Sequence, residues 1–210
     1  HPSGVRHTHP RSLITVIRSK DAGRTWDAEN AAQLAAGGGQ EFGLIHLGKG
    51  RVGGALAAHE VFPEDEAERA GVDHTHPREY PFRSVGALWC ASDNDGLTWR
   101  VDRTLLVGPG KQACAPPIRL QDGTLMIPAY GAIGRSKIGS SLLYRSQDQG
   151  ASWSEGIIIA QGRPASRAYQ EPVLMETAPG QLLCMMRVHD PKNPGIFWRS
   201  ESDDAGQTWS

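Results

Sequence analysis

Glu171 and Arg187 are the residues whose types and spacing most directly suggest chemistry. Tyr169-Gln-Glu171-Pro172 opens an apolar run, Pro179-Gly180 offers a tight turn, and Met186-Arg187-Val188-His189 closes the returning run. A hairpin folded at that turn brings Glu171 beside Arg187. A guanidinium offers a planar fork to a carboxylate and stays cationic at any working pH, so the pair suits a site that takes an anionic group. The plainer reading is a structural ion pair at a rim. Glu41, in Gly39-Gln-Glu41-Phe42, opens an earlier apolar run in the same slot.

Histidines form a second cluster. His7-Thr-His-Pro-Arg11 recurs as His74-Thr-His-Pro-Arg78. Four histidines together can hold a metal, but a loop HxH is common, and Pro stiffening the entry to a strand explains the repeat more simply. No metal and no cofactor are expected. Cys90, Cys114 and Cys184 are an odd set without CxxC spacing and read as small buried hydrophobes.

The elements that position these residues repeat. Ser19-Lys-Asp-Ala-Gly-Arg-Thr-Trp26, Ser92-Asp-Asn-Asp-Gly-Leu-Thr-Trp99, Ser146-Gln-Asp-Gln-Gly-Ala-Ser-Trp153 and Ser202-Asp-Asp-Ala-Gly-Gln-Thr-Trp209 share S-x-[DN]-x-G-x-[TS]-W. Asn94 stands where the others have Asp21, Asp148 and Asp204. The Asp or Asn accepts backbone N–H groups two or three residues on, Gly supplies a positive φ, and the Trp covers the turn. These eight side chains are read as structural. Each octapeptide follows a β-rich run, and before it lies another hairpin with its own turn at Gly48-Lys-Gly50, Asp122-Gly123 or Pro179-Gly180. The pattern is a four-stranded antiparallel meander repeated along the chain, the sequence form of a β-propeller blade.

Strand parity then fixes the geography. Both tight turns of a blade lie on one face, and the residues opening strand one, those closing strand two and the second-to-third loop lie on the other. Glu41, Glu171 and Arg187 therefore share the loop face, where function usually resides. The insertion from His59 to Pro81 lengthens the first Trp-to-Trp interval on that face. Its run Glu64-Asp-Glu-Ala-Glu-Arg69 predicts a short exposed helix or a solvated acidic loop.

The four octapeptides, with the Glu171…Gly180…Arg187 arrangement, resemble the Asp boxes and active-site hairpin of the sialidase (neuraminidase) superfamily. The resemblance implies an all-β, sialidase-like propeller of six blades when complete, of which about three and a half are here. All 210 residues then belong to part of one domain: a blade tail over 1–30 and blades over about 40–103, 113–160 and 170–210, the last strand truncated. The activity it implies is retaining exo-hydrolysis of terminal sialic acids. Glu171 would take the proton of a tyrosine nucleophile, Arg187 would be one of three arginines on the substrate carboxylate, and Glu41 would be a supporting carboxylate. A tyrosine needs such a base at neutral pH, and sialidases depart from the two-carboxylate glycosidase pattern.

Other parts of the family's pattern have no match. Pro81-Phe-Arg-Ser84 precedes a third strand and is not the family's first arginine, and Tyr130, Tyr144 and Tyr169 do not match the nucleophile. The acid/base Asp is expected near or before His1, and the third arginine and the tyrosine after Ser210. The isolated chain is thus expected to be inactive, its partners being the remaining blades and a sialylated or other glycan. The competing reading is a non-catalytic propeller that binds carbohydrate or protein. Lys plus Arg total 22 against 23 for Asp plus Glu, which gives no general charge for nucleic acid or anionic membrane. No apolar stretch reaches the length of a membrane span. No targeting signal is legible, and for enzymes that trim glycans the expectation is a secreted or periplasmic location.

Overall fold

Alternating apolar residues between Gly- and Asp-containing turns produce thirteen antiparallel strands among the described residues. The computed structural model describes residues 8–34, 38, 41–72, 80–164, 167–190, 192–193 and 195–210, and of 102–105 the backbone alone. β1 (Ile14–Arg18) and β2 (Asp27–Leu34) form a two-stranded sheet. β3 (Phe42–Gly48), β4 (Arg51–Val61), β5 (Phe82–Ser92) and β6 (Arg100–Pro109) form a four-stranded meander. β7 (Ile118–Arg119), β8 (Leu125–Gly131), β9 (Ser140–Ser146) and β10 (Ile157–Ala160) form a second. β11 (Ala168–Ala178), β12 (Gln181–His189) and β13 (Phe197–Ser202) form a three-stranded sheet. The fold is all-β and propeller-like, with the sheets as successive blades.

The two-residue period of each strand decides which neighbour a side chain meets. On β8, Leu125, Ile127 and Ala129 pack with Ala55, Ala87 and Trp89 of the preceding sheet. Met126, between them, packs the other way, with Leu182, Cys184 and Met186 of the following sheet. Leu143 of β9 joins that second layer, while Leu142 and Tyr144 join the first. A third layer holds Val16 and Leu34 of the first sheet against Leu56, Ala58, Leu88 and Cys90. Each large apolar side chain fully buried here contributes about 1.5–3 kcal/mol. Cys90 and Cys184 are buried free thiols, as the sequence implies, whereas Cys114 is half-buried.

The octapeptides close the β1–β2, β5–β6 and β9–β10 hairpins and follow β13, each through a hydrogen-bond set in which Ser has a larger part than the sequence suggests. In the first copy the Asp21 carboxylate accepts from Thr25 N at 2.8 Å and Thr25 Oγ1 at 2.7 Å, four residues on rather than two or three. Ser19 Oγ takes the Gly23 N–H at 2.8 Å and donates to Asp21 Oδ1 at 2.7 Å. The ring spans four residues because Ala22 and Gly23 both adopt positive φ, 59° and 86°. The same pair of conformations recurs at Asp95–Gly96, Gln149–Gly150 and Ala205–Gly206. Asn94 preserves the geometry with one bond reversed, its Nδ2 donating to Thr98 Oγ1 at 2.9 Å. Trp99, Trp153 and Trp209 pack against the three core layers. Trp26, by contrast, is 57% exposed and is not part of these layers among the described residues.

Both kinds of turn do lie on one face, as parity requires. The Asp95 N–H donates to Gly50 O at 2.7 Å, and the Ala205 N–H to Gly180 O at 2.8 Å. On the opposite, loop face the described part of the acidic insertion forms a 3-10 turn at Glu64–Glu66 followed by further hydrogen-bonded turns to Val72. Ala67 just beyond the 3-10 turn is buried, so the segment is anchored rather than freely solvated. Of the repeated histidine segments, His7 and residues 74–78 lie outside the described residues. His9 packs edge-on against Tyr80 with centroids 4.9 Å apart.

Candidate functional site

The hairpin of β11 and β12 brings Glu171 and Arg187 together, with Glu171 Oε1 3.0 Å from Arg187 Nη1. Gln170 accepts from Arg187 Nη2 at 2.7 Å, so two neighbouring residues of β11 hold one guanidinium. The register explains how. Gln170 pairs with Arg187 and Val173 with Met185, which leaves one extra residue on β11 and makes a bulge at Glu171-Pro172. Glu171 has φ 52°, the left-handed region that an L side chain occupies at a cost of about 1–2 kcal/mol. Among the described residues, every other non-glycine with positive φ belongs to an octapeptide or to the Gly48–Gly50 turn. A strained, charged residue away from any tight turn is the pattern associated with functional positions.

Glu41 opens β3, its carbonyl accepting the Ala57 N–H at 3.1 Å. Between the first strands of these two blades lies a cluster that the residue types alone did not reveal. Tyr130 Oη donates to Gln112 Oε1 at 2.5 Å, and the two backbones exchange hydrogen bonds at 2.8 and 2.9 Å. Burial, then the charges of Glu41 and Glu171, push the Cys114 thiol up to about 12. Burial and the same two carboxylates, with Cys114, also raise the Tyr130 phenol, while Arg187 opposes the rise at both groups. Glu41, Tyr130, Cys114, Glu171 and Arg187 thus share one electrostatic neighbourhood drawn from three successive blades. At neutral pH Tyr130 is an uncharged phenol that donates a hydrogen bond, and Cys114 is an unreactive thiol.

The sequence does carry a trace of this cluster. Gln40-Glu41, Gln112-Ala113 and Gln170-Glu171 are the same Gln-first pair, placed just ahead of or at the opening of each blade's leading strand. Gln112 is the member without an acidic neighbour.

The octapeptide face has cavities as well. A cleft of about 660 Å³ lies between the first and second four-stranded sheets, with Arg51, Trp89, Arg100 and Gln149 in its wall. Its charges are already matched: Arg51 and Arg100 lie 3.5 and 3.1 Å from Asp93, and Arg51 also donates to Gln149. The cleft is a seam between blades, far in the fold from Glu171.

This combination of stacked four-stranded meanders, octapeptide turns on one face and a charged cluster on the other defines a propeller of the sialidase type. A family model described as a BNR repeat-like domain matches residues 74–210, and the chain belongs to that family. No curated protein matches significantly. A solved structure of a protein of unknown function from Dyadobacter fermentans is 19% identical with TM-score 0.73, over 98% of this chain and 58% of that one. The Hadza microbial sialidase Hz136 is 22% identical with TM-score 0.65, over 94% of this chain and 39% of that one. The GH93 α-L-arabinofuranosidase of Fusarium graminearum, solved with arabinobiose, is 14% identical with TM-score 0.58, over 93% and 56%. The chain therefore spans about half of the length of these structures, and the likeness is one of fold.

Proposed function

We propose that this chain is part of a glycoside hydrolase that releases terminal sialic acid with retention of configuration. In this reading Arg187 binds the substrate carboxylate through its guanidinium fork. Glu171 accepts the proton of a tyrosine nucleophile supplied by sequence outside this chain. Glu41 is a supporting carboxylate, and the Tyr130–Gln112 pair presents a phenol oxygen that accepts and an amide N–H that donates to sugar hydroxyls. The octapeptides are Asp boxes, and they build the scaffold on the face away from the chemistry. The blades lie over about 40–103, 113–160 and 170–210, completed by further blades of a longer protein.

The observation that carries the proposal is the Glu171–Arg187 pair at 3.0 Å, on a bulge that holds Glu171 at positive φ. A guanidinium anchored by one carboxylate and one amide keeps donors for a second anion. The test is turnover of a fluorogenic α-sialoside and a fluorogenic α-L-arabinofuranoside by the longer protein and by the 210-residue chain. The proposal expects the sialoside alone to be cleaved, by the longer protein alone. Cleavage of the arabinoside instead would transfer the site to a neutral sugar. Saturable sialoside binding without turnover would make the propeller a binding module.

A further inference from the structure

We infer that a second site, for an anionic saccharide, lies on the loop face between the second and third blades and is separate from Glu171 and Arg187. The connection from β10 to β11 carries Gln161, Arg163 and Arg167, and with Tyr169 and Trp198 they border a cleft of about 320 Å³. Arg167 is built into its wall. Its Nε donates to Asp190 Oδ2 at 3.0 Å, and its guanidinium carbon lies 4.8 Å from the centre of the Trp198 ring. Asp190 is only 7% exposed, yet it also accepts Lys192 N at 2.9 Å and Asn193 Nδ2 at 3.2 Å. A buried carboxylate with three donors, set behind an arginine, orients the fork and leaves the cation available on its other edge.

Asp190 engages Nε, and the Tyr169 side chain lies beside the guanidinium. A guanidinium has five donors, so a single bond through Nε leaves terminal N–H groups to meet an incoming anion. Arg163 is exposed and forms no ion pair among the described residues, which places a second guanidinium at the same cleft. Tyr169 and Trp198 meet edge to face with centroids 5.9 Å apart, and Trp198 is 37% exposed. Two guanidinia, an amide and an aromatic wall around a small open cleft fit a sugar that bears a carboxylate or a sulfate.

This cleft and the Glu171–Arg187 pair lie on opposite faces of one sheet. Trp198 pairs with Met186, which is buried toward the second blade, and Tyr169 pairs with Val188, also buried. Arg187, between Met186 and Val188, points to the other face. The site therefore stands whether or not the hydrolase reading is correct.

The test is titration of the full chain, isotopically labelled, while following the Trp198 indole N–H resonance, assigned through Trp198→Phe. The probes are digalacturonate for carboxylate, galactose 6-sulfate for sulfate, and neutral galactobiose. The inference expects a saturable Trp198 shift with one or both anionic sugars, whichever responds naming the source, and none with galactobiose. Affinity stays within about threefold in Arg187→Ala, because that residue shares no partner with the cleft. It falls on the order of tenfold in Arg163→Ala, an exposed change that leaves the fold intact, and further in Arg167→Gln. No Trp198 shift with any probe, an equal shift with galactobiose, or loss of the shift in Arg187→Ala would overturn it.

Discussion

Glu171 Oε1 lies 3.0 Å from Arg187 Nη1, and the residue that makes this contact does so from φ 52° on the bulged strand β11. Both residues are roughly half exposed, so the ion pair itself contributes at most about 1 kcal/mol. The strain of the left-handed conformation is of similar size. Glu171→Ala keeps the strain and loses the pair, whereas Glu171→Gly loses both. The expected result is that the glycine variant is more stable than the alanine variant by about 1 kcal/mol in denaturant unfolding. The reverse order would show that the left-handed conformation is not the native one.

The seam between blades depends on one close approach. Gly150 has φ 92°, and a Cβ there would lie 2.3 Å from Nε1 of the buried Trp89. Trp89 belongs to the layer between the first and second four-stranded sheets and packs on Trp153 with ring centroids 5.3 Å apart. Gly150→Ala is therefore expected to destabilise the chain by roughly 2–4 kcal/mol, from backbone strain plus overpacking. Equilibrium unfolding checks this, with Ala151→Gly as a neighbouring control.

Stability should also fall with mild acid because of His59. Its ring is 1% exposed on β4, both nitrogens lack partners among the described residues, and burial lowers its pKa to about 4. As pH falls below 6.5 the unfolded chain takes up the proton while the folded chain does not, so folding loses stability down to about pH 4. The full loss is on the order of 3 kcal/mol. His59→Leu removes both this dependence and two unpaired polar atoms, so it should flatten the pH 4–6.5 limb and raise stability at pH 7. The lowered carboxyls of Asp21 and Asp148, at about 2, add a separate loss in stronger acid.

The outer face of the last sheet carries Val173, Met175 and Met185 exposed, with Phe197 70% exposed. The register sets Val173 opposite Met185 and Phe197 diagonal to it, with Arg187 and Arg199 interspersed, so exposed apolar surface runs across β11, β12 and β13. The 210-residue chain is expected to self-associate with rising concentration. Met175→Lys with Phe197→Lys should return it to monomer in light scattering without lowering its unfolding midpoint.

Much of this architecture is legible in the residues, because the octapeptide determines its own turn. Ser, Asp or Asn, Gly and Thr or Ser each satisfy a local partner, so four copies locate four hairpin ends with no knowledge of the rest. The Glu171–Arg187 contact is legible for a related reason, since a turn at Pro179-Gly180 fixes which residues become neighbours. Three things are not legible locally. The bulge depends on a register shift between two strands. The Tyr130–Gln112 bond depends on how residues ahead of β7 run beside β8. The Asp190–Arg167–Trp198 stack continues the β11–β12 pairing one position past Ala168 and His189, and depends on β13 bringing Trp198 to the same side of the sheet. Each is a long-range relationship between residues that read as ordinary in sequence, and only packing makes them partners.

In the proposed role Glu171 acts on a proton during turnover and is not merely a rim ion-pair partner. The most direct measurement is steady-state kinetics of Glu171→Gln in the longer protein, with sialoside affinity measured separately. The expected result is a fall in kcat of about 10²–10⁴-fold, the range for loss of a positioned proton acceptor, with affinity changed little because the amide still accepts from Arg187. Unchanged turnover, or equal loss of binding and turnover, would contradict it.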